Sequence, residues 1–134
     1  MPTIEGVYLE QLIRAGILFS LGSSVLGVFL ETALPAGNYY NVLYTVGSDT
    51  IRVLNAITWR YVGTVPANIR LQTDDGVNAF TFHGQSAPVN SVYDNWYGQI
   101  IHFPGQGLAV NLGNATLNND FEIYWSGYDI LLNL

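Results

Sequence analysis

An alternating run from Thr50 to Tyr61 constrains the fold of this chain more than any other sequence feature. Two sets of residues share the run: Ile51, Val53, Ile57, Trp59 and Tyr61 on one face, and Arg52, Leu54, Ala56, Thr58 and Arg60 on the other. A period of two is typical of a β-strand, because successive side chains of an extended chain point to opposite sides. The run therefore predicts a long strand whose first face points into a core.

Short strands separated by turn residues account for the rest of the chain from Val25 onward. Asp74-Asp75-Gly76 is a strong hairpin signal, and Pro104-Gly105-Gln106-Gly107 predicts a tight turn with a positive φ at glycine. The other expected strands are Val25–Ala33, Asn38–Val46, Asn68–Thr73, Val77–His83, Trp96–Phe103, a strand with Leu108, Val110 and Leu112, and the runs Phe121–Trp125 and Tyr128–Leu132. About eight strands in a chain of 134 residues predict one all-β domain, an antiparallel sandwich or barrel.

The first 24 residues follow a different pattern. The uncharged run from Ala15 to Leu30 is shorter than the about 20 apolar residues of a bilayer span, and no basic region of a signal peptide precedes it. The apolar positions at the start of the chain are Val7, Leu9, Leu12, Ile13, Ile17 and Leu18. We expect an arm or short helix over residues 1–24, lying against its own domain or a neighbouring subunit, and a β-sandwich over residues 25–134.

The charge balance excludes several classes of partner. The chain has four basic residues, all arginine, against ten acidic ones, which gives a net charge of −6. Nucleic-acid binding and attachment to an anionic membrane both need clustered lysine and arginine. We therefore expect neither a nucleic acid nor a membrane as partner.

The sequence also lacks the residues that most catalytic and cofactor sites require. Cysteine is absent, and the two histidines, His83 and His102, have no metal-ligand spacing. Asp74 and Asp75 lie in a turn that supplies too few oxygen ligands for Ca²⁺. These observations predict a protein that is not an enzyme and has no catalytic residues, metal site or cofactor.

The aromatic segment Tyr93-Asp94-Asn95-Trp96-Tyr97 is the best candidate for recognition, because exposed tyrosine and tryptophan are typical of protein interfaces. We predict an interface, to another protein or to another subunit, formed by Leu12, Ile13, Ile17, Tyr93, Trp96 and Tyr97. Aromatic rings beside amide and carboxylate groups also suit a sugar. The alternative is a glycan site at Tyr93, Asp94, Asn95 and Trp96.

The order of turns and strands over about residues 25–132 resembles that of small jelly-roll proteins in tailed-phage virions. The matching pieces are Leu34-Pro35-Ala36-Gly37, Ile51–Trp59, Asn68-Ile69-Arg70-Leu71, Pro104-Gly105-Gln106-Gly107-Leu108 and Ser126-Gly127-Tyr128. The resemblance implies a tumour-necrosis-factor-like or capsid-type jelly roll, commonly a trimer, located in a virion.

Two functions are compatible with this resemblance. The first is a capsid decoration (cement) protein of a phage, which sits as a homotrimer on the major capsid protein at the capsid surface. The high apolar share, 49% of residues, favours it, because subunit contacts would cover part of that surface. The alternative is a receptor- or glycan-binding jelly-roll tip of a phage tail or fibre.

Overall fold

Eight β-strands form two four-stranded antiparallel sheets in the structure, a computed structural model that describes residues 18–132. The strands are β1 (Leu18–Glu31), β2 (Gly37–Val42), β3 (Thr50–Val62), β4 (Asn68–Asp74), β5 (Ala79–Ser86), β6 (Asp94–His102), β7 (Gly107–Ala115) and β8 (Asp120–Leu132). The described residues contain no helix. The expected all-β fold is confirmed.

The strand order makes this sandwich a jelly roll. One sheet has the order β1-β8-β3-β6, and the other has the order β2-β7-β4-β5. Only β4 and β5 are sequence neighbours that pair with each other, so the chain repeatedly crosses from one sheet to the other. The inner faces of the two sheets enclose the main core, whose largest fully buried side chains include Trp59, Tyr61, Phe121, Leu34, Leu54, Ile57, Ile69 and Leu71.

The first strand begins earlier than expected. We predicted a start at Val25, but β1 pairs with β8 from Leu18, opposite Leu132. The small residues before Val25 do not end the strand; the register instead shifts between Leu21 and Ser24, as at a β-bulge. The helix or arm expected over the remainder of the amino-terminal segment, residues 1–17, lies outside the described residues.

The predicted division of β3 into two faces is wrong at one end. Leu54 pairs with Gly127 and Ala56 with Ser126, so Asn55 is an extra residue that bulges out of the ladder. A bulge reverses the alternation. Leu54 consequently faces the main core together with Ile57, Trp59 and Tyr61. Ile51 and Val53 instead pack with Ile130 in a second cluster on the opposite side of the sheet.

Two turn predictions are confirmed by the backbone. Gly76 has a φ of 90° in the β4–β5 hairpin, and the Asp74 carboxylate accepts a hydrogen bond from the Gly76 amide at 2.8 Å. Gly105 has a φ of 86° in the turn between β6 and β7. Left-handed conformations of this kind favour glycine, because a Cβ atom would clash with the backbone.

Other strand boundaries also differ from the expected ones: β2 ends at Val42 rather than Val46, and β5 begins at Ala79 rather than Val77. β6 begins at Asp94, where the sequence predicted a loop as far as Asn95. β8 continues through Ser126 and Gly127 without a break, although two separate runs were expected. At Gly127 an added Cβ would lie 1.9 Å from the Val53 carbonyl oxygen, so glycine here permits a close approach of β3 and β8.

No helix in the described residues 18–132 is long and apolar enough to cross a membrane.

Candidate functional site

Three rows of side chains cross the outer face of the β1-β8-β3-β6 sheet, the face that points away from the main core. The strand register defines these rows, because paired residues of adjacent strands point to the same side. The first row is Leu26, Ser126, Ala56 and Tyr97; the second is Val28, Tyr124, Thr58 and Asn95; the third is Leu30, Glu122, Arg60 and the adjacent Tyr93. We call these twelve residues the outer face.

Apolar side chains on the outer face are strongly exposed. Leu26, Val28 and Leu30 on the edge strand β1 are 85%, 56% and 57% exposed, and Tyr97 on the edge strand β6 is 74% exposed. Single exposed apolar residues are ordinary on protein surfaces, but a contiguous set is typical of an interaction site. The outer face is therefore the strongest candidate site on the described part of the chain.

A groove of about 430 Å³ lies in the first two rows. Its lining residues are Leu26, Gly27, Val28, Ala56, Thr58, Tyr124, Trp125 and Ser126. Short side chains of β3 and β8, such as Ala56 and Ser126, leave the space, and the larger Leu26 and Val28 stand beside it on β1. The volume lies in the range of ordinary ligand pockets, about 300–1,000 Å³.

The polar groups of the outer face mostly bind one another. Arg60 Nε lies 2.8 Å from Glu122 Oε1, and the Tyr124 hydroxyl donates to Glu122 Oε2 at 3.1 Å. The guanidinium carbon of Arg60 lies 4.6 Å from the centre of the Tyr93 ring. Hydrogen bonds from Tyr93 and Tyr124 lower the pKa of the Glu122 carboxyl, and the same bond to Glu122 raises the pKa of Tyr93. With these groups paired among themselves, the face offers a partner mainly apolar surface.

The structure divides the predicted aromatic segment between two faces of β6. Tyr93, Asn95 and Tyr97 belong to the outer face, and Tyr93 with Tyr97 is here called the tyrosine edge. Trp96 points into the sandwich, where its ring centre lies 5.3 Å from that of Phe82.

The four residues of the alternative glycan site are therefore not brought together. Asp94 points inward and accepts a hydrogen bond from the Gln85 amide at 2.7 Å, and Gln85 in turn accepts one from the Trp59 indole at 3.0 Å. Asn95 Oδ1 accepts a bond from the Thr58 hydroxyl at 2.6 Å. The predicted interface residues Leu12, Ile13 and Ile17 lie outside the described residues.

A polar cluster occupies the interior near one end of the sandwich. His102 is fully buried; its Nδ1 lies 2.7 Å from the Tyr44 hydroxyl, and its Nε2 lies 3.0 Å from the Thr73 hydroxyl. Arg52 makes a two-pronged ion pair with Asp129, at 2.7 and 3.0 Å. Burial, together with the nearby charge of Arg52, lowers the pKa of His102 to about 4. This cluster holds a neutral imidazole inside the fold.

The acidic turn Asp74-Asp75-Gly76 binds its own backbone. Asp75 Oδ1 accepts hydrogen bonds from the amides of Val77 and Asn78 at 2.9 and 2.6 Å, and these bonds lower the pKa of its carboxyl. The Tyr40 hydroxyl donates to Asp74. Among the described residues no group of three or more potential ligands is placed to hold a metal ion. The two carboxylates thus serve the hairpin.

Sequence reasoning missed the part of the site contributed by β1. The alternation of Leu26, Val28 and Leu30 with Val25 and Phe29 was visible, but a strand that is apolar on both faces does not reveal which face is exposed. The informative signal was the absence of any charged residue between Arg14 and Glu31.

The comparisons with known proteins concern the fold. The chain is similar to one in the acidic stable capsid structure of Helicobacter pylori bacteriophage KHP30, with a TM-score of 0.59 and 12% sequence identity over 81% of this chain and 90% of that one. It is also similar to a pentameric capsid protein isolated from metagenomic phage sequences, with a TM-score of 0.40 and 11% identity over 98% and 77% of the two chains.

No protein-family model matches the chain, and no curated protein matches its sequence. At 12% identity, the likeness to the KHP30 chain shows the jelly-roll fold and nothing more specific.

Proposed function

We propose that this protein is a non-enzymatic structural component of a phage virion, a decoration (cement) protein that stabilises the capsid from its surface. In this proposal three copies associate as a homotrimer, and each copy contacts the major capsid protein through the tyrosine edge. The observation that carries the proposal is the outer face: a contiguous, exposed, mainly apolar surface on a jelly roll of the capsid type.

The chemistry of the outer face supports attachment to another protein. Tyrosine is enriched at protein interfaces, since its ring buries a large apolar area and its hydroxyl still finds a polar partner. Tyr97 lies on the edge strand β6 and Tyr93 directly precedes that strand, four residues earlier, with Arg60 held over the Tyr93 ring. The likeness of the fold to a chain of a phage capsid structure supports a capsid protein as the partner.

Sedimentation with emptied capsids of the phage that encodes the protein tests this assignment. The full chain should co-sediment with capsids, and the double variant Tyr93→Ala/Tyr97→Ala should be released. The matched control is Asp74→Ala/Asp75→Ala, which removes two carboxylates at the β4–β5 turn of the other sheet and should remain bound. A molar mass in solution about three times 14.8 kDa, by light scattering, is expected for the free protein.

Two results would contradict the proposal. Absence of binding to any capsid, together with binding to host cells or to cell-surface glycan, would move the protein to a tail or fibre tip. Equal retention of the tyrosine variant and the control would place the contact on another face.

A further inference from the structure

We propose that an extended segment of the capsid protein adds to the edge strand β1 as a fifth strand of the β1-β8-β3-β6 sheet. The segment would pair along residues 24–31, where β1 is regular and its outer-face side chains are exposed. This inference rests on the proposed function, which supplies the capsid as partner. It adds a second contact surface and the conformation of the segment that binds there.

β1 forms one edge of its sheet, since β8 pairs with it on one side and no described strand pairs with it on the other. Its register against β8 shifts twice before Ser24 and is then unbroken from Ser24 to Glu31. These eight residues extend over about 27 Å at about 3.4 Å per residue. In an antiparallel edge strand, every second residue points its N–H and C=O groups away from the neighbouring strand. About four residues of β1 therefore present backbone groups with which an added strand can pair.

The other three edge strands are shorter or interrupted. The register of β2 shifts between Gly37 and Tyr39, and that strand has only six residues. The pairing of β5 shifts between Leu71 and Gln72 of β4, and the pairing of β6 shifts at the bulge of β3. Short strands and bulges are common means by which proteins prevent pairing at a sheet edge. Residues 24–31 of β1 have neither, so among the described strands this edge is the best suited to strand addition.

The side chains of β1 specify the chemistry of the added strand. Leu26, Val28 and Leu30 point to the outer face and are strongly exposed, and no charged residue lies between them. Side chains of paired strands lie about 4.5–5.5 Å apart, so every second residue of the added segment would stand beside these three. A charge at such a position would lose water without gaining an ionic partner. The segment is therefore uncharged, with apolar residues at alternate positions.

Only an extended segment can use the backbone groups of this edge. Within a helix the N–H and C=O groups bind one another, so a helix offers free backbone groups only at its ends. Strand addition is a common mode of peptide recognition, in which backbone hydrogen bonds give affinity and alternate side chains give specificity. The exposed apolar side chains of β1 and its unpaired backbone groups thus favour the same kind of occupant.

A second copy of this chain is a poorer occupant within the proposed homotrimer. Antiparallel pairing of β1 with β1 of another copy needs a two-fold axis, whereas a trimer is built on a three-fold axis. A three-fold axis would bring β1 to a different edge strand, and the other edges are shorter or interrupted. The β1 edge is thus left for the capsid. It lies opposite the tyrosine edge in the same sheet, so one copy would join two capsid segments.

Hydrogen exchange on the capsid-bound protein tests strand addition directly. In the free chain about half of the amides in residues 24–31 should exchange quickly, because they face away from β8. Binding to emptied capsids should slow these amides at least about a hundredfold and should leave the amides of the edge strand β5 unchanged. Bound protein with unchanged exchange in β1 would overturn this inference and leave the proposed function standing. Slow exchange of all amides of residues 24–31 in the free chain would show an edge that is already paired, and would also overturn it.

Two double variants provide a matched binding experiment. Leu26→Lys/Leu30→Lys places two charges beside the edge, as natural edge strands often do, and should lower the occupancy of capsids at least about tenfold. Val77→Lys/Phe80→Lys adds the same charges in the β4–β5 hairpin of the other sheet, at apolar residues that are 88% and 59% exposed against 85% and 57%. This control should bind as the native chain does. Both variants should unfold in urea at the midpoint of the native chain, because the replaced side chains are exposed.

The outcomes separate this inference from the proposed function. Equal behaviour of the two double variants, whether both bind or both are released, would overturn the inference while the native chain still binds capsids. A molar mass of two or six protomers in solution would assign the β1 edge to a second copy and would overturn it as well. Failure of the native chain to bind capsids would contradict the proposed function itself, and the inference with it.

Discussion

Both faces of the β1-β8-β3-β6 sheet carry apolar side chains, but those of the inner face are buried and those of the outer face are exposed. On the inner face Trp59, Phe121 and Ile123 are at most 1% exposed and pack against the second sheet. On the outer face Leu26 and Tyr97 are among the most exposed apolar residues described. Apolar character alone therefore does not say what a residue of this sheet does. The inner face holds the fold together, and the outer face is available for contacts beyond the described sandwich.

Replacement of Trp59 should give the largest loss of stability. Trp59→Ala removes a buried ring and leaves the Gln85 side-chain oxygen without its indole donor, which should cost about 3–5 kcal/mol in urea unfolding. Tyr97→Ala on the outer face is the control and should change the free energy of unfolding by less than about 0.5 kcal/mol. A loss below about 1 kcal/mol for Trp59→Ala would mean that the inner face does not carry the stability.

Acid should lower the free energy of unfolding because the buried His102 resists protonation. The unfolded chain binds a proton at an ordinary histidine pKa of 6.5, whereas the folded chain does so only at about 4. Because the folded pKa is depressed, the stability is fully present above pH 6.5 and is lost as the pH falls towards 4, by about 2–3 kcal/mol. Urea unfolding between pH 4 and 7 measures this slope.

Matched histidine variants isolate that contribution to the acid sensitivity. His102→Gln should flatten the dependence of stability on pH between 4 and 6.5, because a neutral amide replaces the titrating ring. His83→Gln, the control, should retain most of the slope. Identical slopes in both variants would assign the acid sensitivity to other groups.

A smaller effect is expected where β3 changes faces. Gly127→Ala places a Cβ atom against the Val53 carbonyl oxygen, which lies only 1.9 Å from the ideal Cβ position, and should cost about 1–3 kcal/mol. Gly84→Ala on β5 meets no atom within 4 Å and should alter stability by less than about 0.5 kcal/mol. Thermal unfolding of the two variants makes the comparison. Equal melting temperatures would show that the close approach at the bulge is not required.

The alternation of the sequence was sufficient to predict the fold class and most of the strands. Thr50 to Tyr61 reads as one uninterrupted alternation, and the hairpin at Asp74-Asp75-Gly76 follows from its turn chemistry. The bulge at Asn55 could not be predicted, because residues before and after it are apolar on both sides of the strand. Only the pairing with β8 reveals that Val53 and Ile57 lie on opposite faces.

The candidate site was predictable only in part. Tyr93 and Tyr97 were predicted to be interface residues from their residue type, and the structure places both on the outer face. Asp94 and Trp96 point to the other side of the sheet because β6 already begins at Asp94. The sequence predicted a loop as far as Asn95, and a loop has no period from which the two sides could be inferred. The contribution of β1 required the sheet order, which pairs strands from opposite ends of the chain.

The most direct test of the proposed attachment is the effect of salt on binding to capsids. The chain has four arginines and no lysine, and the polar groups of the outer face are largely paired with one another. Attachment should therefore rely on the burial of apolar surface, which salt does not weaken. Gradient sedimentation of capsids with bound protein should give the same occupancy in dilute buffer and in about 1 M salt. Release of the protein by salt alone would show an electrostatic contact and would contradict the account of the outer face as an apolar docking surface.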